Sequence, residues 1–121
     1  MSAQSFPFPH TKLDAFRVAL QLAEAAKALA DRVPRGYRSF ADPLMRAAGS
    51  TVLRIGEGAN RYTAGTKRQR YSEARGECGE VAACLERLAV LERVPRAEAE
   101  QALALAGRVG AMLTRLLQRL A

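Results

Sequence analysis

Glu73, Glu77 and Glu80 recur at spacings of four and three, which on a helix brings three carboxylates to one face. Carboxylates so placed could bridge metal ions inside a helical bundle, but that chemistry also calls for Glu-x-x-His pairs on two helices. The single histidine of the chain, His10, stands apart beside Pro9 and fits neither a metal ligand nor a catalytic base. The glutamates are therefore read as partners for arginines, with Glu77 or Glu80 pairing with Arg46 or Arg61 across neighbouring helices. Cys78 and Cys84 fall on one helix about 9 Å apart along its axis, beyond disulfide reach, and read as small core-filling residues. Without a nucleophile held against a base, the chain is read as non-enzymatic, with no metal and no cofactor.

Basic residues are the stronger signal. The chain of 121 residues has a formal charge of +7, and that charge is uneven. Between Arg35 and Arg75 there are nine basic and three acidic residues, while the rest carries ten basic and nine acidic. A cationic stretch of this kind suits an anionic partner, RNA or DNA above all. Arg54, Arg61, Lys67, Arg68 and Arg70 are the candidate contacts, gathered at the turn between the second and third helices. Outside Tyr37, Tyr62 and Tyr71 there is no aromatic platform for stacking bases, and no helix-turn-helix spacing, so binding would run through phosphate with little base discrimination. The alternative is an oligomeric scaffold for another protein, with the arginines serving solubility or an acidic surface.

Positioning those residues falls to helices. Half the residues (49%) are apolar, tryptophan is absent, and Ala, Leu, Glu and Arg dominate, which favours one all-α domain over 1–121. Phe6-Pro7-Phe8-Pro9 cannot continue a helix, so residues 1–10 read as an extended arm. Four helices follow, near 12–32, 43–61, 67–92 and 95–120, and the short connections make them an antiparallel up-down bundle. Thr11 with Asp14 has the form of a start signal for the first helix. Asp42 followed by Pro43 marks the start of the second, and Thr66 with Gln69 suggests a capping box for the third. Pro95 opens the fourth. The seam of the third helix is Tyr71, Ala74, Cys78, Val81, Leu85 and Leu88.

Two helices have more apolar surface than one small core needs. On the first, Leu13, Phe16 and Leu20 form one stripe, and Val18, Leu22, Leu29 and Val33 another on the opposite side. On the fourth, Leu103, Leu105, Val109, Met112, Leu113, Leu116, Leu117 and Leu120 cover half the circumference. The surplus implies contacts between subunits, the alternative being a helix deep within a monomer.

The segment from Arg46 to Arg61, RAAGSTVLRIGEGANR, joins these strands of the argument. As a helix it places Leu44, Ala48, Val52, Ile55 and Ala59 on an apolar stripe and Arg46, Ser50, Arg54, Glu57 and Arg61 on a polar one. Gly49 and Gly56 lie two turns apart beside the apolar stripe, where each costs about 1 kcal/mol relative to alanine, so a close helix crossing is expected there. Glu57 precedes Arg61 by four residues, the favourable order for an intrahelical ion pair.

Three motifs, Arg46-Ala47-Ala48-Gly49-Ser50, Ile55-Gly56-Glu57-Gly58-Ala59-Asn60-Arg61 and Ala74-Arg75-Gly76-Glu77-Cys78-Gly79-Glu80, together resemble a known family. It comprises the four-helix-bundle proteins encoded in intervening sequences of bacterial large-subunit ribosomal RNA genes, related to the accessory variability protein of diversity-generating retroelements. The resemblance runs from about Leu13 onward. It implies a non-enzymatic accessory protein that closes into a ring or barrel, a homopentamer, with nucleic acid or a protein such as a reverse transcriptase as partner. Arg46, Ser50, Glu57 and Glu80 would organise the motif. The family usually has Asn followed by Ile-Ala-Glu-Gly, where this chain has Arg54 and Ile-Gly-Glu-Gly. Two reduced thiols, no span of about 20 apolar residues and no signal-type segment lead to a cytoplasmic, membrane-free expectation.

Overall fold

A computed structural model describes residues 8–121, and in that range it is all helical. The helices are α1 (Asp14–Ala30), α2 (Arg38–Ala59), α3 (Ala64–Val90) and α4 (Arg96–Arg119), with short 3-10 turns at Pro9–Lys12 and Arg35–Tyr37. Each helix packs against its neighbours in the chain, and α1 also packs against α4, so the four close into an antiparallel bundle. Of the expected arm, residues 1–7 lie outside the described range. Pro9–Lys12 is not extended but coiled into a 3-10 turn, because Phe8 and His10 stack with centroids 5.8 Å apart and His10 lies 4.6 Å from Phe16 on α1.

The core is made of small and branched side chains. Leu22, Leu44, Ile55, Val81, Leu85, Leu88, Val109 and Leu113 are fully buried, and the expected α3 seam is buried throughout. Removing each such side chain from water contributes about 1.5–3 kcal/mol. Thr51 lies among them and satisfies its hydroxyl by donating to Ala47 O at 2.8 Å.

Of the two stripes on α1, Val18, Leu22, Leu29 and Val33 all enter the core, so Leu22 is not available to a neighbouring subunit. Leu13 and Phe16 are half-buried and Leu20 is 48% exposed. The broad face of α4 is also largely absorbed: Leu103, Leu105, Met112, Leu116, Leu117 and Leu120 are partly buried against the core. The large apolar side chains left exposed on the helices are therefore Leu20 on α1, Leu53 on α2 and Val90 at the end of α3, and none of them is on α4.

Helix boundaries depart from the start signals in three places. Thr11 does not cap α1. Its hydroxyl donates to Phe8 O, and Leu13 takes the N-cap position. Asp42-Pro43 does not open α2, which begins five residues before Pro43 and so also takes in part of the expected loop. The proline removes only one early hydrogen bond there, while starting at Arg38 buries Ala41 completely and lets Arg38 donate to Ala30 O at 3.0 Å. Helix α3 is capped three residues earlier than the Thr66–Gln69 pattern suggests. Thr63 has the extended cap conformation and its hydroxyl accepts from Thr66 N at 3.2 Å.

At its far end α3 stops at Val90. Glu92 N donates to Ala89 O at 3.1 Å and Arg93 N to Leu88 O at 2.8 Å, the Schellman pattern, with Glu92 at a positive φ of 56°.

The glycines act differently from the expected crossing. A Cβ on Gly49 would meet nothing within 4 Å, and one on Gly56 would make an ordinary 3.6 Å contact with Phe16. It is Gly58 that admits a close neighbour, the ring of Tyr71.

Candidate nucleic-acid interface

Helices α2 and α3 are joined along their outer side by a ladder of ion pairs. Arg46 bonds to Glu80 and lies 3.7 Å from Glu77. Further along, Arg54 lies 3.2 Å from Glu57 and 3.8 Å from Glu73. Arg70 lies 2.7 Å from Glu73 and 3.9 Å from Glu57. The Arg70 hydrogen bond holds the Glu73 carboxyl below its ordinary range, and the same bond raises Arg70. Arg46 with Glu80, and Glu57 with Arg70, thus tie the two helices, while Ser50 is half-buried and forms no side-chain hydrogen bond among the described residues.

Of the five expected phosphate contacts, Arg54 and Arg70 are largely neutralised by this ladder. Lys67 Nζ donates to Gly58 O at 3.3 Å and Ala59 O at 3.0 Å, closing the carbonyl end of α2 with a cation where the helix dipole is negative. Arg68 Nη2 donates to Leu120 O at 2.5 Å, tying the start of α3 to the end of α4. Arg61 is exposed and has no ion-pair partner among the described residues. The expected Glu57–Arg61 pair is absent because α2 ends at Ala59, so the two residues no longer share a helical face and Glu57 turns to Arg54 and Arg70.

The turn between α2 and α3 therefore presents Arg61, Lys67 and Arg68 with charge to spare. Sequence reasoning missed three cations at the same end of the bundle, Lys12, Arg115 and Arg119. Lys12 is far in the chain from Arg115 and Arg119, and only the antiparallel return of α4 beside the start of α1 brings the three together.

The reactive residue types have structural surroundings. Cys78 is buried and its Sγ donates to Ala106 O at 3.3 Å; burial pushes its thiol up, as it does that of Cys84. Both are free. Among the described residues no group of His, Cys, Asp and Glu is placed to hold a metal ion. His10 Nδ1 lies 2.8 Å from Asn60 Nδ2, which also donates to Gly56 O at 2.7 Å, so the histidine fastens the 3-10 turn to α2. No helix among the described residues is long and apolar enough to cross a membrane.

A four-helix bundle with a charged α2–α3 ladder and a cationic end is the class that fold and site define. Residues 11–115 match the family of the 23S rRNA-intervening sequence protein, and the chain belongs to that family. No curated protein matches it.

Proposed function

We propose that this chain is a non-enzymatic accessory protein of the cytoplasm that assembles with itself and binds RNA or DNA through phosphate contacts, with little sequence discrimination. The observation that carries this reading is the uncompensated charge at one end of the bundle. Arg61, Lys67 and Arg68 stand there without a carboxylate partner among the described residues, whereas Arg54 and Arg70 beside them are ion-paired. The family's description, which ties its members to an intervening sequence in ribosomal RNA, supports RNA as the nucleic acid at hand.

Assembly enters through the α1–α2 face. Leu53 is 67% exposed and borders a groove of about 540 Å³ lined by His10, Phe16, Val52, Glu57, Asn60 and Arg61. A closed ring of five, the number implied by the family resemblance, would repeat each cationic end five times. Linked weak sites on a rigid ring raise avidity by about 10²–10⁴ when the ligand spans them.

The test is retention of labelled RNA and DNA at about 50 mM salt, followed by a salt titration. Binding should weaken steeply with salt, and Arg61→Glu with Arg68→Glu should weaken it similarly for every sequence. Absence of salt-sensitive retention in the wild-type protein rejects nucleic-acid binding. The exposed Leu53 and the α1–α2 groove beside it would then favour the second reading, a scaffold for another protein.

A further inference from the structure

We infer that the cleft between the start of α1 and the last turns of α4 is a second phosphate-binding site, continuous with the α2–α3 turn. This inference rests on the nucleic-acid reading above and gives the strand a path. The cleft holds about 250 Å³ and is lined by Lys12, Arg115 and Arg119 around an apolar floor of Leu13, Met112 and Leu116. Lys12, Arg115 and Arg119 form no ion pair and no side-chain hydrogen bond among the described residues, and residues 1–7 contain no acidic side chain. Asp14 also lines the cleft, but its carboxylate is bound by Arg17.

Three uncompensated cations around one concave site repel one another, and a phosphodiester placed among them removes that repulsion. The bland account is that arginines near a helix C-terminus complement the macrodipole. It accounts for Arg119, in the last turn of α4, but not for Lys12, which belongs to a different element. Continuity follows from Arg68, whose bond to Leu120 O sets the first turn of α3 against the end of α4. Arg68 on the α3 side of α4's last turn, and Arg119, Arg115 and Lys12 on its α1 side, thus share one end of the bundle with Arg61 and Lys67 at the end of α2.

The double substitution Arg115→Ala and Arg119→Ala tests the cleft in the full chain, with Arg61→Ala and Arg68→Ala as the companion. Each lost phosphate contact lowers the slope of log K against log salt by about 0.7 for single strands and 0.9 for duplex DNA, so the cleft variant should lose about 1.4–1.8. Affinity should fall alike for every sequence, with circular dichroism unchanged, since alanine favours helix. Lys12→Ala, outside the long helices, should lose about half as much slope and serves if the double variant fails to fold. A cleft variant that keeps the wild-type slope and affinity, while the Arg61/Arg68 variant loses both, overturns the second site and leaves nucleic-acid binding intact. A wild-type protein that retains no nucleic acid overturns both.

Discussion

Gly58 on α2 and Tyr71 on α3 occupy one another's space: a Cβ at Gly58 would stand 2.6 Å from Tyr71 Cε1 and 2.8 Å from Cδ1. Tyr71 is 4% exposed, so its ring has little room to withdraw. Gly58→Ala should therefore destabilise the fold by about 1–3 kcal/mol, despite alanine's better helix propensity. Gly49 on the same helix is the control, because its Cβ position is open and its backbone conformation is ordinary. Gly49→Ala should stabilise by about 0.5–1 kcal/mol. Urea melts of the two variants that shift in the same direction would refute the packing argument.

Glu92 occupies the left-handed position of the Schellman turn ending α3, with φ at 56°. A non-glycine residue in that region costs roughly 1–2 kcal/mol, and Glu92 forms no ion pair among the described residues. Glu92→Gly should raise stability by about 1 kcal/mol, offset in part by the greater freedom of the unfolded chain. Glu92→Val should lower it. A thermal melt ranking the valine variant at or above wild type would show that the strain is absent.

The Arg70–Glu73 bond makes stability depend on acid. Glu73 is held below its ordinary range, chiefly by the hydrogen bond from Arg70 and next by its charge, with Arg54 adding to the effect. A carboxylate with a lowered folded-state pKa stabilises the fold above its unfolded value, near pH 4. That contribution disappears as pH falls through the folded value. Wild type should therefore lose more stability than Arg70→Ala on going from pH 6 to about pH 3. Parallel loss in the two proteins would mean that the bond does not persist in solution.

Leu22 and Leu53 separate core from surface. Leu22 is fully buried, so Leu22→Asp should abolish folding rather than merely dissociate an assembly. Leu53 is 67% exposed, so Leu53→Asp should keep the helical spectrum. If the α1–α2 face joins subunits, the Leu53 variant should scatter light as the 13.1 kDa monomer while wild type remains larger. A wild-type protein that is itself monomeric at micromolar concentration would dispose of the assembly.

Much of the bundle is legible in the sequence, because helix period is a local property of the chain. Tyr71, Ala74, Cys78, Val81, Leu85 and Leu88 repeat at three and four, and all six are buried on α3. That Glu77 or Glu80 would meet an arginine of α2 was legible too, but the choice between Arg46 and Arg61 was not; Arg46 takes both glutamates. Boundaries were less legible. Asp42-Pro43 carries a strong local start signal, yet burying Ala41 and part of Phe40 outweighs one missing hydrogen bond, and α2 starts at Arg38.

The candidate site was legible as composition but not as available charge. Arg54, Arg61, Lys67, Arg68 and Arg70 look alike in the sequence; Glu57 and Glu73 neutralise two of them, and the carbonyls of Gly58 and Ala59 engage a third. Arg115 and Arg119 are four residues apart and share a face of α4, but Lys12 lies about a hundred residues before them in the chain, and no periodicity links it to that face. The sequence by itself determined which side chains are cationic and which face α3 buries. Tertiary structure alone decided which cations keep their charge free and which share a cleft, because neutralisation and proximity depend on which helices are neighbours and where each one ends.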